Sequence, residues 1–406
     1  MTGIERQRLA ELLVRADVIA LLAALNRDGE EARIVGGAVR NALLGEPVAD
    51  IDVATTCLPQ ETMRRARAAG FKAVPTGVEH GTVTVVIEGV PFEVTTLRRD
   101  VETDGRHAVV AFGRDFREDA LRRDFTINAL GLDAAGVLHD YAEGLADLAQ
   151  RRVRFIGAAG ERIAEDYLRI LRFFRFHARY GIGEPDRLAL DACIAGRAGL
   201  EGLSRERVWT ELRKLLAAPR AAETLQAMAG AGLLMPVVGG VPRLSRFSAI
   251  ADGPAESVYP AFRLAALVVA VGEDALRLRE RLRLSNAEFE RVSGIAAALE
   301  ALSGKGTLPE IARLRSLAHR IGADAVAGAM GLLETDDRSA DNRALIAELA
   351  RTPPFLPTGK DVLALGVNAG PRVGQVLELA REVWIEAGCP AGRDEQMAIV
   401  ARAVSA

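Results

Sequence analysis

An α/β head followed by an all-α remainder is the architecture this 406-residue sequence predicts. Three observations lead there. Strand patterns rich in Val, Ile and Thr are confined to residues 32–141. Two acids one residue apart, Asp50 and Asp52, follow a strand, a glycine turn and a helix start. From about Val153 the strand signal stops, and helical periodicity broken by Gly and Pro clusters runs to the end.

The elements follow in order. Residues 4–27 read as one leading amphipathic helix. Ala32–Val35, Ile51–Thr55, Gly81–Ile87, Phe92–Leu97 and Val137–Tyr141 read as strands. Ala38–Leu44, Pro59–Ala69 and Asp119–Ala129 carry helical patterns. The polar stretch Arg98–His107, with Gly105 near its middle, reads as a mobile loop. The expected domain bounds are 1–150 for the α/β head, 151–245 for a first helical region and 246–406 for a second.

Composition narrows the class. The chain is 49% apolar and 26% charged, with a formal net charge of −3, so only local patches can bind nucleic acid. Cys57, Cys193 and Cys389 lie too far apart for metal-ligand spacing, and an odd, low count fits a reducing compartment. With no signal peptide pattern and no membrane-length apolar run, a cytoplasmic location without membrane contact is expected.

The chemistry concentrates in four blocks. At Gly36-Gly37, backbone N–H groups without a Cβ in the way can approach phosphate oxygens at a helix N-terminus, with Arg40 one turn on. The alternative is a plain strand-to-helix turn beside a surface arginine. Asp50 and Asp52 share a strand face, where paired carboxylates repel unless a cation lies between them, and hard oxygen ligands suit Mg²⁺. Glu93, from a neighbouring strand, supplies a third carboxylate unless it is an ordinary exposed strand residue. Arg122-Arg123-Asp124, with Asn128 on the same expected helix, has the groups to hold a ribose and a triphosphate. In the last block Asp166 and Arg169 lie three apart on an expected helix, followed by Arg172 and Arg175. A simple helical ion pair is the alternative, but residues 151–180 hold eight arginines against three acids, an excess for a surface helix.

Taken together, Gly36-Gly37-Ala38-Val39-Arg40, Asp50-Ile51-Asp52, Arg122-Arg123-Asp124-Phe125-Thr126-Ile127-Asn128-Ala129 and Glu165-Asp166-Tyr167-Leu168-Arg169 resemble the class II tRNA nucleotidyltransferases and the related bacterial poly(A) polymerases. Tyr141–Leu148 resembles the hinge segment of that family, and the likeness is strong over about residues 31–215. It implies an α/β nucleotidyltransferase head of the polymerase-beta-like type, followed by an all-α neck, body and tail. It also implies that Asp50 and Asp52 bind Mg²⁺, and that Gly37 and Arg40 hold the triphosphate. Arg123 and Asp124 would handle ribose and phosphate. Asp166 and Arg169 would read the incoming base, supported by Arg172 and Arg175. The partners implied are the tRNA 3′ end, CTP and ATP.

Base chemistry agrees with that reading. Cytosine and adenine both offer an amino donor beside a ring-nitrogen acceptor. One aspartate and one arginine therefore complement both, while uracil and guanine present the reversed pattern. The expected activity is template-independent addition of C, C and A to the 3′ end of tRNA. The rivals are a poly(A) polymerase, a split enzyme adding only CC or only A, and a catalytically lapsed RNA-binding regulator. The intact acidic set argues against the last. A basic C-terminal extension is expected of the polymerase, and residues 394–406 contain only Arg402 as a cation.

Overall fold

The computed structural model describes residues 1–104, 107–251, 259–303, 310–333 and 339–405, the side chains of 99–104, 107–110 and 339–343 excepted. It divides into two compact units, residues 1–204 with 218–233, and residues 205–217 with 234–406.

The first unit opens with two helices, α1 (Gly3–Leu13) and α2 (Ala16–Leu25), where one was expected. The break falls at Val14-Arg15, where Arg15 takes an extended backbone conformation. A capping box at Thr2, whose hydroxyl accepts from the Glu5 N–H, starts α1. The chain then runs β1 (Ala32–Val35), α3 (Gly37–Leu44), β2 (Asp52–Thr55), α4 (Pro59–Ala68), β3 (Lys72–Gly77), β4 (Thr82–Ile87) and β5 (Val90–Thr96). It continues through β6 (Arg98–Asp104), β7 (His107–Phe112), α5 (Phe116–Leu121), a 3-10 turn at Thr126–Asn128, β8 (Leu130–Leu132), β9 (Leu138–Asp140) and α6 (Gly144–Ala149).

Seven strands form one mixed sheet in the order β3-β4-β5-β2-β1-β8-β9, in which only β2 and β5 run parallel. Its register builds an apolar row, Leu132–Ile34–Val53–Val94–Val83, all essentially buried. The next row is Gly131–Val35–Asp52–Glu93–Thr84. Because side chains alternate faces, the first row supplies the core and the second carries the acids on the opposite face.

The stretch read as a mobile loop pairs as two antiparallel strands, β6 with β7, and residues 105 and 106 lie outside the described residues. The expected helix over Asp119–Ala129 is also corrected. It stops at Leu121, and Arg122-Arg123-Asp124 occupies the turn that leads to the 3-10 segment.

Past residue 150 the chain is helical, with α7 (Ala159–Glu165) and α8 (Leu168–Tyr180) next. These helices remain in the first unit because aromatic packing binds them to it. Phe125 and Phe155 lie 4.9 Å apart, Phe125 and Phe176 5.1 Å, and Phe155 and Phe173 5.7 Å between ring centroids. The change at 150 is thus one of secondary structure, while the packing unit runs on to Ser204.

The second unit is helical among its described residues, from Arg205–Leu216 to Arg393–Ser405. Trp209 is buried there, its indole N–H donating to Glu288 Oε1 at 2.9 Å. Trp384, Ala380, Val400 and Cys389 form a core near the C-terminal end. No helix of the described residues is long and apolar enough to cross a membrane.

Candidate active site

The site starts where β1 ends. Gly36 has φ 68° and ψ −119°, a conformation open to glycine. Its N–H donates to Leu130 O at 2.9 Å, which fixes the turn against β8, and α3 begins at Gly37. A Cβ on Gly36 would lie 2.9 Å from Arg123 Nη1, so that guanidinium would have to shift. One on Gly37 would sit 3.6 Å from Arg40 Nη2, an ordinary contact. The turn therefore lies between two guanidinium groups.

The acids sit beside it. Val35, the residue before Gly36, pairs with Asp52, and Asp52 pairs in parallel register with Glu93. Adjacent strands bring these two acids about 5 Å apart along the backbone. Asp50 precedes β2 and is exposed, Ile51 is buried, and Asp52 is exposed again, so the expected alternation holds although the strand starts only at Asp52. The surrounding protein, then the negative charges of Glu93 and Asp50, push the Asp52 carboxyl above its usual range, and Arg123 offsets this in part.

Among the described residues no three His, Cys, Asp or Glu groups converge tightly enough to hold a metal ion by themselves. The donor set still fits Mg²⁺, which takes one or two carboxylates and completes its shell with water and substrate phosphates. The raised proton affinity of Asp52 comes first from the surrounding protein and then from the Glu93 and Asp50 carboxylates, whose charge a cation there would offset.

Arg123 is held from behind. Its Nη2 donates to Asp119 at 3.3 Å and its Nη1 to Asn128 O at 3.3 Å. Asp119 is buried and also accepts two hydrogen bonds from Arg122. Burial alone would raise its carboxyl, but the Arg122 and Arg123 charges outweigh this and hold it low. The spacing of three and four residues to those arginines was the available signal for Asp119, and it was missed.

Asp124 faces inward. Its Oδ1 accepts from the Phe125 N–H and from Asn128 Nδ2, each at 2.9 Å, and its Oδ2 accepts from Arg172. Burial opposes ionisation of Asp124, yet Arg172 and Asn128 keep its carboxyl below the usual range.

Arg40 makes its hydrogen bonds within the protein. It is buried, and donates to Asn128 Oδ1, Tyr180 OH (2.7 Å) and Asn41 Oδ1 (3.0 and 3.2 Å). Its guanidinium carbon lies 4.1 Å from the Tyr180 ring centroid. Burial depresses its proton affinity. Most of its donors are thus spent on protein, so it is a charge beneath the glycine turn rather than a side chain reaching from the surface.

The block from Glu165 to Arg175 differs in detail from the expected helical pair. Asp166 lies in the break between α7 and α8, where its Oδ1 accepts from the Leu168 N–H at 3.1 Å. Arg169, in the first turn of α8, donates to Glu165 and, at 2.8 Å, to Arg162 O. The Arg169 N–H donates to Asp166 O at 3.0 Å, which keeps both residues in one turn. Arg172 is joined to Asp124, and the Arg175 guanidinium packs on the Phe176 ring at 4.2 Å.

Of the expected site residues, the structure gathers Gly36, Gly37, Asp52, Glu93 and Arg123 at the end of the sheet, with Asp50 alongside. Arg40, Asp124, Asn128 and Arg172 form the polar layer between them and α8. Tyr180, which closes that layer, was missed because it lies beyond the arginine series. A cavity of about 640 Å³ opens at the other end of the same sheet face, lined by Glu31, Arg33, Phe112, Phe116 and Tyr141 among others, and none of the site residues borders it.

Residues 32–154 match the poly A polymerase head domain, and residues 190–245 match the domain described as a probable RNA and SrmB-binding site of polymerase A. The Mus musculus mitochondrial CCA tRNA nucleotidyltransferase 1 is 34% identical over 386 residues, covering 92% of this chain and 87% of the relative. The CCA-adding enzyme of Geobacillus thermodenitrificans (strain NG80-2) is 43% identical over 220 residues, 53% of this chain and 52% of that protein. The structure of the Bacillus stearothermophilus CCA-adding enzyme in complex with CTP aligns with a TM-score of 0.72 at 26% identity, covering 99% of this chain and 98% of that one. With the acidic row, the glycine turn and the whole-length likeness in agreement, this chain belongs to the CCA tRNA nucleotidyltransferase family and is a nucleotidyl-transferring enzyme.

Proposed function

We propose that this enzyme adds C, C and A in turn to the 3′ end of tRNA, using CTP and ATP without a nucleic-acid template. The observation that carries the reading is the Val35–Asp52–Glu93 register beside a glycine turn flanked by Arg123 and Arg40. The triphosphate lies along that turn. Its charge meets the Arg123 guanidinium directly and the buried Arg40 charge through a short, poorly screened distance. Asp50 and Asp52, with Glu93 beside them, would hold Mg²⁺. Bound there, one ion would lower the pKa of the attacking hydroxyl, and a second would hold the triphosphate and neutralise charge on the leaving pyrophosphate. The tRNA 3′-hydroxyl oxygen bonds to the α-phosphorus, the bond to the β-phosphate oxygen breaks, and pyrophosphate leaves.

Selection falls to the start of α8. Asp166 accepts from the amino group of cytosine or adenine, and Arg169 donates to the adjacent ring nitrogen. Uracil and guanine would set carbonyl against carboxylate and N–H against guanidinium, a mismatch that discriminates strongly. The helices of the neck, body and tail hold the tRNA by shape and phosphate contacts. The match of residues 190–245 to an RNA-binding domain supports this. Three buried free cysteines suit a reducing compartment, which we take to be the cytoplasm, although the mouse relative is mitochondrial by name.

The test uses tRNA truncated at its discriminator base, Mg²⁺, and CTP and ATP together, with the products sequenced. Products ending in CCA support the reading. Long A tails would replace it with poly(A) synthesis, a stop after CC or addition of A alone with a split enzyme, and no extension with a regulator.

A further inference from the structure

Four buried polar side chains, Arg40, Asp124, Asn128 and Tyr180, form a continuous string. Arg172 donates to Asp124, Asp124 accepts from Asn128, Asn128 accepts from Arg40, and Arg40 donates to Tyr180 OH. Both ends of the string belong to α8, Arg172 in its first half and Tyr180 as its last residue. Eight residues of helix separate them, about 12 Å along the axis. The middle of the string belongs to the head: Arg40 on α3, one turn after the glycine pair, and Asn128 on the 3-10 turn.

The chemistry singles out Tyr180. Arg40 is a buried cation whose side-chain hydrogen bonds all go to neutral oxygens, those of Asn128, Tyr180 and Asn41. Among the described residues these oxygens and the faces of Tyr180 and Phe176 contact it directly, while the Glu46 carboxylate acts on it only through its charge. The Tyr180 hydroxyl accepts from Arg40 and also contacts Asn41 Oδ1 at 3.3 Å. It therefore fixes the charge beneath the glycine turn and the end of the base-reading helix at once.

We infer that Tyr180 is a positioning residue for nucleotide selection: through Arg40 and Asn41 its hydroxyl ties α8 to the glycine turn, setting where the base-reading groups stand relative to the triphosphate. The inference rests on the nucleotidyl-transfer reading above. Without the hydroxyl, the turn still binds phosphate and α8 still packs through its phenylalanines, but of the two ties between them only the one through Arg172, Asp124 and Asn128 remains, and the C-terminal end of α8 is free to shift against the turn.

The experiment compares wild type with Tyr180→Phe on truncated tRNA, measuring kcat and KM separately for CTP, ATP and UTP. If wild type fails to add CMP, the nucleotidyl-transfer reading itself falls. With wild type active, Tyr180→Phe should raise the KM for CTP and lower the CTP-over-UTP preference by about five- to tenfold, since misplacement of a binding group acts on discrimination. An unchanged preference and KM would overturn the inference, and so would a fall in kcat alone. A merely structural tyrosine would lower the melting temperature and leave the preference intact. Should Tyr180→Phe fail to fold, Asn41→Ala, which removes the oxygen shared by Arg40 and Tyr180, decides in its place. A reduced preference supports the inference, and an unaltered one overturns it.

Discussion

Asp124 and Arg172 are joined across 48 residues of sequence: Arg172 Nε donates to Asp124 Oδ2 at 2.7 Å, and Nη2 donates to the same oxygen. One partner sits in the turn after α5 and the other on α8. The pair therefore couples the Arg122-Arg123-Asp124 turn to α8. Asp124→Asn should destabilise the protein by about 2 kcal/mol, because the Arg172 guanidinium loses its charged partner and faces an amide NH2 in place of Oδ2. It should also lower kcat/KM for CTP by at least about tenfold. Thermal denaturation and steady-state kinetics check both, and a neutral effect on each would show that the pair couples nothing.

Asp52 predicts a pH effect of definite sign. Crowding by protein, then Glu93 and Asp50, hold its carboxyl above the ordinary range in the folded protein. A carboxyl that binds its proton more tightly when folded stabilises the fold while protonated, and this contribution is lost as pH rises through the folded-state value. Metal-free Asp52→Asn should therefore melt above metal-free wild type at pH 7. The gap should close as pH falls below the ordinary carboxylate value of about 4. Mg²⁺ should raise the melting temperature of wild type more than that of the variant. Equal responses of the two proteins would remove Asp52 from the metal site.

The glycine pair predicts a contrast. Gly36→Ala meets a positive φ and places a Cβ 2.9 Å from Arg123 Nη1, so it should cost about 1–3 kcal/mol of stability as well as activity. Gly37→Ala has an ordinary 3.6 Å contact and should fold normally. A loss of activity in Gly37→Ala without a loss of stability would locate the phosphate approach at that residue. Equal melting temperatures for the two variants would contradict the assigned geometry.

Much of this site was legible because it depends on short-range periodicity. Alternation at Asp50-Ile51-Asp52 and the boundaries of β1 and α3 follow from sequence pattern. So does the shared face of Asp52 and Glu93, once the strands pair in register. What was not legible depends on tertiary packing. The break at Val14-Arg15 and the stop of α5 at Leu121 interrupt apolar patterns that read as continuous. The strand Lys72–Gly77 is exposed or half-buried along its length, so it lacks the alternation that marks an edge. The burial of Arg40 was not legible either, since nothing local shows that Asn128 and Tyr180 will fold over it.

Asp166 predicts a change in selectivity rather than in turnover alone. Asp166→Ala removes the acceptor for the amino group shared by cytosine and adenine, and it should allow UTP and GTP to be used. A four-nucleotide competition assay reads this directly as the composition of the added residues. Unaltered preference for C and A would take base reading away from this carboxylate.

The most direct measurement is the single-turnover rate of CMP addition to truncated tRNA by Asp52→Ala, with Asp50→Ala beside it. Loss of the acidic row should slow transfer by about a thousandfold or more while tRNA binding persists. Either variant turning over at the wild-type rate would show that the chemistry happens elsewhere.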